Sequence, residues 1–183
     1  KRIVAHAREW PMGDPLDTVN RVGALVSKAH YDKVCSYLDA DKKSGGLKVV
    51  MGGKAEKGFV EPTVIEVTRE AKQAREEIFG PVLSVLTVDS FDEAIALANA
   101  TEYGLAASIF TGNVKRALRG ARALRAGTVT VNSFGEGDIS TPFGGFKQSG
   151  FGGRDNGIQA HDQYTQVKTI WVDLADDADE AVT

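Results

Sequence analysis

The sequence contains a single cysteine, Cys35, among its 183 residues. No disulfide can form within the chain, and this cysteine usage is compatible with a reducing compartment. The sequence also lacks any apolar run approaching the ~20 residues needed to cross a bilayer. Its first residues do not begin a secretory signal pattern. We therefore expect a soluble, cytoplasmic protein with no membrane partner.

An excess of positive charge is also missing, since the formal net charge is -3. Without a basic surface the chain has little to hold a phosphate backbone, so nucleic acid is excluded as a partner. The histidines are few and scattered, at His6, His30 and His161, without the paired spacing of a metal site. We therefore expect a small molecule or another protein as partner, and no metal.

The first half of the chain has helical and strand-forming patterns in turn. Residues 27–40 place apolar side chains at helical spacing, which predicts a helix. Residues 47–51 and 59–67 are predicted to be strands, joined by a turn at Gly52 and Gly53. Residues 81–88 are apolar with little alternation, which predicts a central strand buried on both faces.

The second half alternates strands and helices. Ser90 and Glu93 fit a capping box, which predicts a helix that ends near Asn99. A strand (106–111), an amphipathic helix capped by Gly127, and another strand (127–132) follow. This order predicts an α/β fold, with a three-layer mixed or parallel sheet and flanking helices. Beyond a glycine-rich functional loop (133–157), we predict an edge strand (165–172) and an acidic tail.

The segment of residues 76–81 combines a carboxylate and an aromatic ring at the mouth of the apolar strand. Ligands of open α/β sheets gather at strand ends. A carboxylate such as Glu77 can accept hydrogen bonds from both hydroxyls of a ribose, and the Phe79 ring can lie against the sugar. The alternative is a solvated glutamate pair with a core phenylalanine, which composition alone favours.

Cys35 is the only thiol that could act as a nucleophile within this chain. It shares an apolar helix face with Tyr31, Val34 and Leu38, and nothing beside it in the sequence would activate it. We therefore interpret it as a small core residue. A thiol enzyme that uses Cys35 remains the alternative, which alkylation with iodoacetamide would test.

The segment Glu-Glu-Ile-Phe-Gly-Pro-Val at residues 76–82 resembles a signature of the aldehyde dehydrogenase superfamily. Further blocks resemble the same family in the same order, and together they cover nearly the whole chain apart from its acidic end. Loop residues 134–138 most resemble the γ-glutamyl-γ-aminobutyraldehyde dehydrogenase branch. The resembling blocks are residues 13–17, 76–82, 103–107, 127–132, 142–150 and 164–171.

The resemblance implies an enzyme that oxidises an aldehyde to a carboxylic acid with NAD or NADP, through a cysteine thioester. The family's cysteine, base glutamate and oxyanion asparagine lie in blocks that precede those found here, so no catalytic residue is assigned. Glu77 and Phe79 are implied to bind the nicotinamide ribose. The implied substrate-binding residues are Phe134, Glu136, Asp138 and Phe143.

The resemblance also implies an organisation in three parts. Residues 1–162 would be the C-terminal part of a catalytic domain, residues 163–173 an oligomerisation strand, and residues 174–183 the acidic tail. The complete protein would then be a homo-oligomer, either a dimer or a tetramer. Because the blocks with the family's cysteine and base are missing, we expect a piece of a longer protein that is inactive alone. The first residue, Lys1 rather than Met, agrees with a trimmed chain. A non-catalytic binding or structural protein derived from the same fold is the alternative.

Overall fold

A computed structural model of the chain describes residues 1–40, 45–135 and 137–174. Short 3-10 helices occupy Lys72–Ala74, Lys147–Ser149 and Ile158–Gln163. The helices and strands are, in chain order, α1 (Arg2–Ala7), α2 (Lys28–Asp39), β1 (Leu47–Met51), β2 (Ala55–Glu56), β3 (Phe59–Val60), β4 (Thr63–Val67), β5 (Val82–Val85), α3 (Phe91–Asn99), β6 (Ala106–Ile109), α4 (Val114–Ala123) and β7 (Thr128–Val131).

The strands form a mixed arrangement. β4 pairs antiparallel with β1 and parallel with β5, so the sheet order is β1-β4-β5. β2 and β3 make a small antiparallel hairpin, and β6 pairs parallel with β7. Helices and mixed or parallel strands in this order confirm the predicted α/β class.

The prediction that residues 81–88 form the central strand is wrong for the part of the chain that is described. β4 is central, and its residues Thr63, Val64, Ile65 and Val67 are buried. β5 covers only Val82–Val85 and lies at the outer end of the sheet, where most of its side chains are half-buried. Apolar content indicates a strand, but its place in the sheet depends on pairing with distant residues.

The main core lies between α2 and the β1-β4-β5 sheet. The predicted helix is α2, and Ser27 is its N-cap, because Ser27 Oγ accepts a 3.2 Å hydrogen bond from the His30 backbone N–H. Val34 and Ile65 are fully buried, one from the helix and one from the central strand. The core cluster comprises Val34, Tyr37, Leu38, Leu47, Val60, Ile65, Val67, Ala71 and Ile78.

The predicted strand–helix series over the second half is confirmed as β5-α3-β6-α4-β7. Ser90 Oγ accepts a 3.1 Å hydrogen bond from the Glu93 backbone N–H, as a capping box requires. The Glu93 carboxylate accepts from the backbone N–H of Asp89, at 2.7 Å, and not from that of Ser90. Within the described ranges, β6 and β7 form a sheet separate from β5.

Gly127 is not the cap of the preceding helix, contrary to the prediction. α4 ends at Ala123, and Leu124 takes the C-cap position in an extended conformation. A side chain on Gly127 would overlap the backbone carbonyl of Gly144. Glycine is therefore required at position 127 by the close approach of the glycine-rich loop.

The predicted strand at residues 165–172 is not formed in this single chain. The described residues after Tyr164 pair with no other strand, and Val167 and Trp171 are almost fully exposed. A strand needs a neighbour, and none of the described segments supplies one.

The acidic tail from residue 175 lies outside the described residues. No helix in the described ranges has the length and apolarity to cross a membrane.

Candidate cofactor and substrate site

The segment of residues 76–80 is held against one face of α2. The Tyr37 hydroxyl donates a 2.7 Å hydrogen bond to Oε2 of Glu76. A Cβ placed on Gly80 would lie 3.0 Å from Cγ2 of the fully buried Val34, so the segment approaches the helix as closely as glycine permits. These contacts fix both ends of the segment.

His30 makes the third contact, with Phe79. Its Nε2 lies 2.7 Å from the Phe79 carbonyl oxygen, and since a carbonyl can only accept, Nε2 is the donor. The two rings also meet edge to face, with centroids 6.2 Å apart. Phe79 has a positive φ of 57°, which is unusual for a bulky residue.

The segment therefore presents alternate residues to opposite sides. Glu76, Ile78 and Gly80 contact the protein: Glu76 is exposed but bound to Tyr37, and Ile78 is buried at 7% exposure. Glu77 is exposed, and the Phe79 side chain is 71% exposed. The two residues predicted to bind the cofactor are thus exposed, and neither side chain has a hydrogen-bond partner within the described residues.

Glu77 lines an open cleft of about 420 Å³. The walls come from residues 74–77, 98–99, 101, 103–107 and 124–126, and from Ser149 of the glycine-rich loop. Glu77 makes no hydrogen bond or ion pair with other residues in the described ranges, so its carboxylate oxygens are free to accept from a ligand. Phe79 is not among the residues that line this cleft.

Charges of both signs lie at the cleft, since Arg75 and Arg125 line it together with Glu76 and Glu77. The pKa of Tyr103 is raised above its usual value, first by the charge of Glu102, and further by burial and by the charges of Glu77 and Glu76. The pKa of Glu76 is lowered, chiefly by the hydrogen bond from Tyr37. The cleft therefore suits a ligand that presents hydroxyl or other donor groups here.

The carboxyl ends of β6 and β7 meet, as parallel pairing requires, and Asn132 joins them. Its Oδ1 accepts from the Thr111 N–H at 2.8 Å, and its Nδ2 donates to the Thr111 carbonyl at 3.0 Å. Asn132 also has a positive φ of 54°, which asparagine tolerates better than most residues. The chain leaves β7 there toward Phe134, which is 91% exposed.

Asp138 anchors a turn in the glycine-rich loop. Its Oδ1 accepts a 2.8 Å hydrogen bond from the Ser140 N–H, and its carbonyl accepts from the Thr141 hydroxyl at 2.6 Å. Hydrogen bonds from Ser140 lower the pKa of the exposed Asp138 carboxyl below its usual value. Glu136, the other predicted acidic residue, lies outside the described residues.

Phe143 is half-buried, and its backbone pairs with Asp155 through N–H···O bonds of 2.6 and 2.7 Å. The glycine-rich loop is thereby closed on itself and holds Phe143 in place. The loop also reaches the cleft of Glu77 through Ser149, whose Oγ accepts from the Gly104 N–H at 3.1 Å. Phe134 and Phe143 do not line that cleft, so their part in a substrate tunnel stays a prediction.

Sequence reasoning missed His30 and Tyr37, which hold the site segment in place. The sequence predicted both only as residues of a helix. His30, Val34 and Tyr37 nevertheless lie at positions i, i+4 and i+7, on one face of that helix. A histidine and a tyrosine on a buried helix face need polar partners. This requirement could have indicated that His30 and Tyr37 bind another segment of the chain. No cluster of metal-ligating side chains occurs in the parts of the chain that are described.

Parallel strand pairs with helices between them, and an open cleft lined by an unpaired carboxylate, are typical of α/β proteins that bind a small molecule. The family model for the aldehyde dehydrogenase family matches residues 1–170. The chain belongs to the aldehyde dehydrogenase family, as its sequence blocks indicated.

Curated relatives agree with this assignment. The chain is 62% identical to aminoacetaldehyde dehydrogenase from Pseudomonas aeruginosa, over 96% of the chain and 36% of that protein. It is 44% identical to betaine aldehyde dehydrogenase from Brucella anthropi, over 95% of the chain and 37% of that protein. The chain therefore spans about a third of the length of these relatives.

Solved structures share the fold. An indole-3-acetaldehyde dehydrogenase of P. syringae, in complex with NAD+, superposes with a TM-score of 0.88 at 47% identity. The match covers 94% of this chain and 36% of that one. A γ-glutamyl-γ-aminobutyraldehyde dehydrogenase from Burkholderia cenocepacia gives a TM-score of 0.85 at 47% identity, over 91% and 34% of the two chains.

Proposed function

We propose that this chain is part of an NAD-dependent enzyme that oxidises an aldehyde to the corresponding carboxylic acid. The chain contributes one wall of the nicotinamide site and a loop of the substrate site, and the cysteine that forms the thioester lies outside it. The observation that carries the proposal is the alternation in residues 76–80, which leaves Glu77 unpaired and Phe79 exposed while their neighbours are held against the protein.

The residues present fit the nicotinamide end of the cofactor. The Glu77 carboxylate has acceptor capacity for both hydroxyls of a ribose, and the exposed Phe79 ring offers an apolar face for the sugar. When bound, the cofactor supplies the hydride acceptor. NAD is the form we propose because solved relatives are complexes with NAD+.

On the substrate side we propose that Phe134, Glu136, Asp138 and Phe143 meet the aldehyde. The ionised Asp138 carboxylate favours a substrate with a positively charged amine, by electrostatic complementarity. The names of relatives include aminoacetaldehyde and γ-glutamyl-γ-aminobutyraldehyde dehydrogenases, which supports an amine-bearing aldehyde.

We further propose that the active protein is a cytoplasmic homo-oligomer. The exposed apolar side chains of Val167, Ile170 and Trp171 are suited to pair with another subunit as an added strand.

We expect no turnover from this chain alone. Cys35 is half-buried in α2 beside core residues, and we expect it to react slowly with iodoacetamide in the native protein.

The cofactor proposal is tested in the full-length dehydrogenase that carries this segment. Glu77→Gln should raise the KM for NAD+ about tenfold or more, because a hydrogen bond to a charged acceptor is weakened. Glu70→Gln is the matched control, since Glu70 is an exposed glutamate elsewhere on the surface. Equal KM values for the two variants would reject the site.

The substrate proposal is tested by Asp138→Asn. We expect a higher KM for an ω-amino aldehyde and an unchanged KM for an uncharged aldehyde of the same length. Asp17→Asn is the control, because Asp17 also accepts a hydrogen bond from the backbone N–H two residues on, at 3.1 Å. A parallel loss for both aldehydes would mean that Asp138 only supports the loop.

A further inference from the structure

Phe79 is held in a backbone conformation that it would not adopt by itself. Its φ of 57° lies in the left-handed region, where a Cβ crowds the following carbonyl and where bulky side chains are rare. Because the Phe79 ring is 71% exposed, packing of the ring cannot be what stabilises this conformation. Such a conformation persists only when the surroundings determine it.

One contact that holds the backbone at Phe79 comes from His30. This residue is 49 positions away in the sequence, and its Nε2 donates a 2.7 Å hydrogen bond to the Phe79 carbonyl oxygen. That carbonyl belongs to the peptide group beyond the strained Cα, so holding it fixes how the chain turns at Phe79. The edge of one ring also contacts the other, which limits the Phe79 ring on the helix side.

His30 is itself well placed to act as a fixed donor. It lies in the first turn of α2, where its own backbone N–H is bound to Ser27 Oγ at 3.2 Å. One turn further on, the fully buried Val34 anchors the helix against Gly80. The imidazole therefore projects from a helix that is secured on both sides of the contact.

We propose that His30 is a positioning residue for the cofactor: it sets the direction of Phe79 through the carbonyl hydrogen bond. This inference rests on the proposed role of Glu77 and Phe79. It adds His30, a residue of α2, to the site. Loss of His30 would leave Glu77 and Phe79 present, but the Phe79 ring would no longer be held in its direction.

The experiment measures the Kd for NAD+ by isothermal titration calorimetry on the full-length dehydrogenase, without aldehyde. His30→Ala removes the donor, and His30→Gln supplies an amide N–H at a similar reach. His161→Ala is the matched histidine control, because His161 lies exposed in a separate 3-10 helix. Glu77→Gln is measured beside them, and thermal unfolding checks that each variant is folded.

We expect His30→Ala to raise the Kd about five- to tenfold, because the loss of one hydrogen bond lowers the population of the Phe79 conformation that binds the cofactor by about that factor. His30→Gln should stay within about twofold of the parent protein, as should His161→Ala. Weak binding by both His30 variants would overturn the proposal, because the imidazole would then matter for packing and not as a donor.

The result for Glu77→Gln distinguishes failure of the His30 positioning role from failure of the proposed ribose site. If Glu77→Gln weakens binding and His30→Ala does not, His30 has no positioning role and the ribose site stands. If Glu77→Gln binds NAD+ like the parent protein, the proposed site is wrong and the role of His30 fails with it.

Discussion

The hydroxyl of Tyr37 donates a 2.7 Å hydrogen bond to Oε2 of Glu76, a residue 39 positions further along the chain. Lys72 stands over the Tyr37 ring, with Nζ 4.5 Å from its centroid and 3.5 Å from the same carboxylate oxygen. This group joins the last turns of α2 to the residue directly before Glu77. The position of Glu77, the residue proposed to bind the cofactor, therefore depends on the ionisation of Tyr37 and Glu76.

This pair makes stability depend on pH at both ends of the range. The hydrogen bond raises the pKa of Tyr37 from 10.0 to about 12 and lowers that of Glu76 below 4.5. Since the folded pKa of Tyr37 is raised, its contribution is present below pH 10 and lost between pH 10 and about 12. Since that of Glu76 is lowered, its contribution is present above pH 4.5 and lost at more acid pH.

Tyr37→Phe should therefore lower the stability near neutral pH and flatten the profile at both extremes. Urea unfolding at a series of pH values from acid to alkaline measures this. Tyr164→Phe, which removes an exposed hydroxyl, should leave the profile unchanged. If the two variants give the same pH dependence, the hydrogen bond does not stabilise the protein.

Gly127→Ala should be severely destabilising. The added Cβ would overlap the carbonyl of Gly144, and its nearest neighbours are all backbone atoms, which leave little room for adjustment. We expect a loss of about 3 kcal/mol in the free energy of unfolding, typical of an overpacked site. Gly112→Ala is the control, because a Cβ there meets nothing within 4 Å. Similar stabilities would contradict the close approach of the glycine-rich loop.

Local signals explain what could be predicted from the sequence. The period of α2, the Ser27 cap and the Ser90 capping box each depend on residues within a few positions, so the sequence carries them directly. The order of strands and helices from β5 to β7 followed from the same local patterns.

What could not be predicted depends on distant partners. β4 is central because both β1 and β5 pair with it, which apolar content does not reveal. Gly127 was assigned to a helix end because glycine often occurs there, whereas its neighbour is a loop that follows later in the chain. Phe79, which has a positive φ, is bound through its carbonyl by His30. Neither residue can be predicted from the sequence around the other.

Ser90→Ala should cost about 1 kcal/mol, because the N–H of Glu93 loses its acceptor at the start of α3. Chemical denaturation of the variant measures this loss. Ser36→Ala is a matched control: the Ser36 hydroxyl donates to the Lys33 carbonyl inside a helix, an interaction that adds little stability. An equal loss for both would mean that the Ser90 cap is dispensable.

Lys147 ties the glycine-rich loop to the end of α3. Its Nζ donates to the carbonyls of Asn99 and Thr101, at 3.0 and 2.9 Å, where helix carbonyls have no partners within the helix. A cation at this end of a helix also interacts favourably with the helix dipole. The tie therefore combines two charge-assisted hydrogen bonds at one place.

Lys147→Met keeps much of the apolar stem and removes the charge, so we expect a loss of about 1–2 kcal/mol in the free energy of unfolding. Lys115→Met should change it by less than about 0.5 kcal/mol, because Lys115 is exposed in the first turn of α4, where a cation is not favoured. Since Ser149 follows two residues later and lines the cleft of Glu77, Lys147→Met should also loosen that wall. Faster hydrogen exchange of the Gly104 N–H, which is bound to Ser149 Oγ, would report this, and unchanged exchange would restrict Lys147 to a local role.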